Sequence, residues 1–310
     1  MFTISNRPLP QLQLVSKALE WLLMPELPEV ETVRLQLLHK ILNKRIQRVE
    51  VFHHKTVENN PNFSESLVGK SFLHIDRIGK LLIFHLAKEP DLFILAHLKM
   101  TGQFFYRDQA GIIGGGHSMT PSDTRELPGR HTRVAFYFTG NSVLFFNDMR
   151  LFGYLKLATA EEVSKAKARF GQEPIADDFD TELFASALKK RRTPIKAALL
   201  DQTFIAGLGN IYVDEALFAS AVRPTRIANK VTKREAYAIA KASGEVMKKS
   251  ILVGGTTFQH FADTGGGRGN FTEYLQVFGK QNTPCPNCQT MIKKIRIAGR
   301  GTHYCPSCQK

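Results

Sequence analysis

Cys285-Pro-Asn-Cys288 and Cys305-Pro-Ser-Cys308 hold every cysteine of the chain, within its last 26 residues. A secreted fold stapled by disulfides would spread its cysteines. Each C-x-x-C is a tight turn that offers two sulfurs to one tetrahedral ion, so the pair of turns reads as a four-thiolate zinc site. Two redox or disulfide pairs are the competing reading. The intervening residues Gln289–Tyr304 suit a hairpin. So small an element buries too little apolar surface to fold alone, and the metal supplies the missing stability. A zinc tetrathiolate implies a reducing compartment: cytoplasm, or nucleus in a eukaryote.

The surroundings of the cysteines are basic. Thr283–Lys310 carries Lys293, Lys294, Arg296, Arg300 and Lys310 and no acid, which suits contact with a phosphate backbone. The whole chain follows the same trend. Its 310 residues contain 42 Lys+Arg against 28 Asp+Glu, a formal charge of +14. A polyanionic partner is implied, nucleic acid before an anionic membrane surface. Hydrophobic residues at 43% and charged residues at 23% exclude a mostly disordered or fibrous chain. No apolar run reaches the roughly 18 residues of a membrane span. The length suits about two domains, and with no sign of an oligomer seam a monomer is expected.

Further back, the pattern divides into blocks. Met1–Leu23 holds Pro8, Pro10 and the short apolar Trp21-Leu22-Leu23. It lacks the basic start, apolar core and cleavage site of a secretory signal and reads as a leader. From Pro28 an apolar stripe of Val30, Val33, Leu37, Leu38 and Ile41 has helical spacing. Eight short strand-like runs follow: Ile46–Phe52, Ser71–Arg77, Leu81–Leu86, Leu92–Leu98, Gln103–Tyr106, Arg133–Phe138, Ser142–Asn147 and Tyr154–Leu157. Turn residues punctuate them, which indicates an all-β sandwich or barrel with one N-terminal helix. Gly111–Arg130, rich in Gly, Pro and Ser, reads as a long mobile loop.

After about Ala158 the character is helical, over Glu161–Phe170, Thr181–Lys190, Pro194–Gln202, Asn210–Ser220 and Lys233–Val253. Pro194 suits a first turn and Asn210 an N-cap. Gly207-Leu-Gly-Asn210 makes a helix–turn–helix type unit whose first amides can hold a phosphate. Ala262–Phe271 is glycine-dense and reads as linker or lid. Four blocks are expected: the leader 1–23, absent from the mature protein, then 24–157, 158–282 and 283–310.

An ordered set of motifs now resembles a known family. Met24-Pro-Glu-Leu-Pro-Glu-Val-Glu-Thr-Val33 is similar to the start of the bacterial formamidopyrimidine-DNA glycosylases (Fpg, or MutM). Lys80 in a Gly-Lys-Leu-Leu turn, His97-Leu-Lys-Met100-Thr-Gly, Asn147-Asp-Met-Arg150-Leu-Phe152-Gly, Gly207-Leu-Gly-Asn210-Ile-Tyr and Gly299-Arg300-Gly-Thr follow in order. The resemblance spans Met24 to Lys310. It implies an α+β multidomain fold: an N-terminal β-sandwich with a helix, a helix–two-turn–helix domain and a C-terminal zinc ribbon with one structural Zn2+. DNA would lie in the cleft between them. It implies a bacterial, cytoplasmic, nucleoid-associated protein acting on double-stranded DNA with damaged bases. The activity implied is that of a bifunctional glycosylase/AP lyase of base excision repair, removing 8-oxoguanine and formamidopyrimidines.

The family's residue roles carry over position by position. Excision needs a base out of the stack, a nucleophile at C1′ and an acid. A chain-terminal amine has a pKa near 8, against about 10.4 for lysine, so it is partly neutral at pH 7. A secondary amine at C1′ gives an iminium, the electron sink for elimination. By resemblance this amine is that of Pro25, the acid for sugar-ring opening is Glu26, and Glu29 lies one helical turn on. Without the family, both acids read as favourable first-turn residues. Lys80 matches the lysine of β-elimination and phosphate contact, and Arg300 the ribbon-tip arginine of phosphate clamping and δ-elimination. His97, His131, Arg191, Lys196 and Asn210 match DNA-contact positions. Met100, Arg150 and Phe152 match the trio that fills the gap left by the extruded base. Leu151 stands where a second arginine is common.

One departure bears on the chemistry. With Met1–Leu23 retained, the Pro25 nitrogen is a tertiary amide that cannot form an iminium. Synthesis from Met24 and methionine removal would free it. Two rivals follow: an endonuclease VIII-like enzyme for oxidised pyrimidines, and a non-catalytic lesion or abasic-site binder if the leader stays.

Overall fold

The computed structural model describes residues 25–115, 126–255 and 271–310. The leader Met1–Leu23, and the expected glycine-rich segment apart from Phe271, lie outside them.

Helix α1 (Leu27–Ile41) begins with proline in its first turn, where a missing N–H costs nothing. Val30, Val33, Leu37 and Ile41 form its buried stripe. Two antiparallel sheets take this stripe. One holds β2 (Phe72–Ile78), β3 (Leu81–Leu86), β4 (Glu89–His97) and β9 (Tyr154–Ala158) in that order. The other has the order β1 (Ile46–Val51), β7 (Thr132–Phe138), β8 (Ser142–Asp148), β5 (Gly102–Asp108), β6 (Gly111–Gly115). Their facing side chains merge into one core with α1. Phe72 and Phe136 meet across the sheets with ring centroids 6.0 Å apart, and Phe84 and Phe104 at 5.8 Å. The sandwich is thus built from alternating residues of both sheets.

The outer face of the four-stranded sheet is also apolar. Leu81, Ile83, Phe93 and Leu95 are covered by Val163 and Ala166 of α2 (Ala160–Lys167). A second core follows in α3 (Thr181–Leu188), α4 (Ile195–Leu199), α5 (Asn210–Ala219) and α6 (Lys233–Leu252), and Leu27 of α1 belongs to it. The C-terminal hairpin, β10 (Lys293–Ile297) and β11 (Arg300–Tyr304), packs near Phe218 through Val277, Ile292 and the cysteines. Among the described residues no helix is long and apolar enough to cross a membrane.

Several sequence expectations shift. The eight runs each overlap a strand; Leu81–Leu86 coincides with β3, and the ends of the others differ by at most three residues. Gly111–Gly115, expected in a loop, is the edge strand β6 paired with β5. A Cβ at Gly114 would sit 2.1 Å from the Phe105 ring, so close packing selects glycine there. The N-cap of α5 is Gly209, and Asn210 is the first helical residue. Pro194 likewise caps α4 from outside it.

Register places the connections of interest at one end. Leu81 pairs with His97, His97 with Tyr154, and Gly102 with Asp148. The turns bearing Lys80, Met100 and Arg150–Phe152, and the start of β7 after His131, therefore share one edge of the sandwich. Phe72, 1% exposed, touches three other rings. Phe72→Ala is expected to cost about 3–5 kcal/mol, read from the shifted urea midpoint of the sandwich transition.

Candidate active site

The site grows from the meeting of α1 with α5. The Leu27 amide donates to the Gly207 carbonyl at 3.2 Å, drawing the start of α1 against the turn before α5. Glu26, 3% exposed, then turns its carboxyl onto the first turn of α5. The Ile211 amide donates to Oε1 at 3.0 Å, and the Tyr212 amide reaches Oε2 at 3.5 Å. A carboxylate there meets unpaired amides and the positive helix end. Gly209 makes the approach possible, since a Cβ on it would fall 2.2 Å from the Glu26 carboxyl carbon. Gly207 has φ +94°, and a Cβ there would clash with Leu27.

The turn is held from both sides. Gln202 donates through Nε2 to the Leu208 carbonyl at 2.8 Å and accepts from the Gly207 amide at 2.9 Å. Lys80 donates to the same Leu208 carbonyl at 3.1 Å. Glu29 accepts from the Glu26 amide at 2.9 Å and from the Tyr212 hydroxyl at 2.6 Å. Pro25 is buried at the head of this cluster.

Burial decides the charges. It raises the Glu26 pKa to about 7 against the pull of Lys80, with Glu29 adding to the rise. Burial also lowers Lys80, and Arg300 lowers it further, while Glu26 and Glu29 oppose. His97 falls to about 3 through burial and the nearby Lys99 and Lys80. Its imidazole is therefore neutral at pH 7. Nδ1 accepts from the Lys99 amide at 3.0 Å, which leaves the proton on Nε2 as a donor.

The sandwich edge carries the other sequence-predicted residues. Buried Asp148 accepts from the Thr101 hydroxyl, from the Arg150 amide at 3.1 Å and from the Gly153 amide at 2.7 Å. One carboxylate thus ties the Met100 turn to the Arg150–Phe152 turn. The Arg150 guanidinium lies 4.8 Å from the Phe152 ring centroid, and both side chains are exposed. Leu151 sits in the left-handed region at φ +57°. The half-buried His131 accepts from Arg130 at 2.8 Å. Arg191 pairs with Asp201 at 2.7 Å over the Phe204 ring. Asn210, half-buried at the start of α5, has an Oδ1 that accepts no hydrogen bond among the described residues.

Lys196 requires a correction. Expected to contact DNA, it is 0% exposed. Its ammonium pairs with buried Asp214 at 2.7 Å and donates to the Gly301 carbonyl at 3.0 Å. Asp214 also accepts from the His303 amide at 2.8 Å. This strut fixes the hairpin beside Arg300, whose own side chain is exposed.

The four cysteine sulfurs all lie within 4.8 Å of one another. Cys285 and Cys308 are 3.8 Å apart, and Cys288 and Cys305 3.5 Å. A tetrahedral zinc with bonds of about 2.3 Å has sulfur–sulfur edges of about 3.8 Å. The donor set therefore fits one structural zinc ion with no position open for chemistry.

Comparison with known proteins agrees with this geometry. The formamidopyrimidine-DNA glycosylase N-terminal domain matches residues 24–155, the H2TH domain of the same enzymes 170–262, and the zinc finger found in FPG and IleRS 283–310. The formamidopyrimidine-DNA glycosylase of Ligilactobacillus salivarius is 40% identical over 289 residues, 92% of this chain and 99% of that protein. That of Desulfitobacterium hafniense is 38% identical over 290 residues, 92% of this chain and all of its own length. The chain belongs to the formamidopyrimidine-DNA glycosylase family. Lactococcus lactis Fpg in complex with abasic-site DNA superposes with a TM-score of 0.79 at 33% identity, covering 92% of this chain and 99% of that one. MutM in complex with DNA containing carbocyclic 8-oxo-G gives 0.78 at 33%, covering 92% and 100%.

Within this family member, sequence reasoning missed Gln202, Tyr212, Asp214 and Asp148. Tyr212, Asp214 and Asp148 meet partners distant in sequence, Glu29, Lys196 and Thr101, whereas Gln202 bonds across its own turn to Gly207 and Leu208.

Two outcomes follow from these charges and sulfurs. A carboxyl raised to about 7 binds a proton more tightly in the folded than in the unfolded chain. Its contribution is present at low pH and lost as pH rises from about 4.5 towards 7. Glu26→Gln is therefore expected to gain urea stability over wild type at pH 8 and to lose that gain near pH 4. Parallel pH curves would contradict the assignment. Treatment with an organomercurial should release one zinc per chain and weaken DNA binding while the sandwich stays folded by circular dichroism.

Proposed function

We propose that this chain is a bifunctional DNA glycosylase/AP lyase that excises oxidised purines from double-stranded DNA in base excision repair. The carrying observation is the buried Pro25–Glu26 pair, clamped on the α5 N-terminus and facing Lys80 at the domain junction. The target nucleotide is flipped from the stack. The Pro25 nitrogen, freed by removal of Met24 and all that precedes it, attacks C1′ and displaces the base. Glu26, near half protonated at neutral pH, supplies the proton for sugar-ring opening. Lys80, its pKa lowered, moves protons in β-elimination, and Arg300 holds phosphate and assists δ-elimination. Met100 and Phe152 wedge the gap while Arg150 reads the opposite base. His97, His131, Arg191 and Asn210 hold backbone phosphates, His97 as a neutral donor. Lys196 serves from inside, by holding the hairpin that carries Arg300.

The zinc shapes the ribbon and takes no part in bond breaking. The domains are taken as 24–157, 158–282 and 283–310, with 1–23 removed. The reading places the protein in the cytoplasm at the nucleoid.

Competitive excision tests it. Matched duplexes carrying 8-oxoguanine:C or an oxidised pyrimidine are incubated together with native enzyme. The purine strand is expected to be cleaved first, and preference for the pyrimidine strand would favour the endonuclease VIII-like reading. Borohydride should trap a covalent adduct on abasic DNA. Binding without any adduct would make the chain a non-catalytic binder.

A further inference from the structure

We infer that Tyr212, backed by Ser250, is a positioning residue that sets the Pro25–Glu26 peptide through Glu29. This rests on the glycosylase/lyase reading above. Tyr212 is 0% exposed, one of the largest fully buried side chains of the protein. Its hydroxyl lies 2.6 Å from Glu29 Oε1 and 2.6 Å from Ser250 Oγ. Ser250, near the end of α6, is also 0% exposed.

The proton order along this chain is fixed by chemistry. Burial, then the neighbouring Glu29, raises Tyr212 well above the usual phenol range, so it keeps its proton. A phenol has one proton to give, and the geometry directs that of Tyr212 at Glu29 Oε1. Tyr212 therefore donates to Glu29, and Ser250 donates to Tyr212. The other Glu29 oxygen accepts from the Glu26 amide at 2.9 Å. That amide belongs to the peptide joining Pro25 to Glu26. Each link fixes the next, so the line Ser250–Tyr212–Glu29 ends on the peptide plane that includes Pro25 Cα, the atom bearing the proposed nucleophilic nitrogen. The backbone of Tyr212 meanwhile faces the Glu26 carboxyl at 3.5 Å. One residue thus holds both acids.

Packing alone does not call for the hydroxyl. The ring of Tyr212 lies 5.7 Å from that of Phe271 within an apolar cluster, where phenylalanine would serve. Burying a hydroxyl is unfavourable unless its hydrogen bonds are made, and here both contacts run towards or away from the acid pair. A group so placed acts on orientation, and displacement of a nucleophile by about 1 Å can cost on the order of 100-fold in rate.

The test uses mature, zinc-loaded, full-length enzyme. Wild type, Tyr212→Phe, Ser250→Ala and the double variant are compared on 8-oxoguanine:C and abasic duplexes. Single-turnover cleavage, borohydride trapping rate, DNA affinity and thermal midpoint are measured. Tyr212→Phe is expected to slow cleavage and trapping by about 10- to 100-fold with affinity held within about twofold. Ser250→Ala should slow both about 3- to 10-fold, and the double variant should match Tyr212→Phe, because the two act in one line. Rates of both single variants within about twofold of wild type overturn the proposal. So does a loss confined to DNA affinity. Should Tyr212→Phe fail to fold, the rate of Ser250→Ala decides. Wild type that never traps refutes the lyase reading itself, whereas wild type that traps at the same rate as both variants refutes the positioning role alone.

Discussion

The structure depends on a carboxyl group brought out of water and laid on the end of a helix from another domain. Glu26, the N-cap residue of α1, meets the amides of Ile211 and Tyr212 at the start of α5. An acid so buried would ordinarily be costly. Two backbone donors, the helix end and Lys80 offset that cost without abolishing it, and the pKa settles at about 7. The same contact therefore fastens the sandwich to the helical domain and sets the proton affinity of the acid.

Other contacts across the junction keep this one in register. Arg77 at the end of β2 makes two bonds to Glu173, at 2.5 and 2.9 Å, and one to Glu31 at 2.8 Å. The Gly79 amide also donates to Glu173, so the turn that presents Lys80 is anchored to the chain leading into α3. On the far side the Lys196–Asp214 pair holds the Gly301 carbonyl and the His303 amide. Removing either partner would strand a buried charge, a larger penalty than the pair's net contribution. Lys80, Glu26 and the Arg300 hairpin are thus set by three separate anchors that converge on one cleft.

Much of this was legible in the sequence, and the exceptions share a cause. The strand runs and the α1 stripe follow periods that a single segment displays. The cysteine spacing names its metal because the ligands come in two local turns. Strand β6 escaped because Gly111, Gly114 and Gly115 offer no side chain to alternate. Asn210 has the chemistry of a cap, yet Gly209 takes that position because only glycine lets the Glu26 carboxyl approach. Lys196 matches a DNA-contact position by resemblance, and only the fold sets Asp214, 18 positions on, and Gly301, 105 positions on, beside it. Tyr212 is buried in the helical core. Its hydroxyl gains meaning only from Glu29 and Ser250, which the fold alone brings together.

In the proposed mechanism these contacts serve one residue, Pro25, as the nucleophile towards deoxyribose. The most direct measurement is to reduce the complex of native enzyme with an 8-oxoguanine:C duplex using borohydride, digest it, and sequence the peptide that carries the sugar. The account requires the sugar on the nitrogen of Pro25, at the front of a polypeptide whose intact mass excludes Met1–Met24. A sugar on any lysine, or full turnover by molecules that still bear those residues, would contradict it.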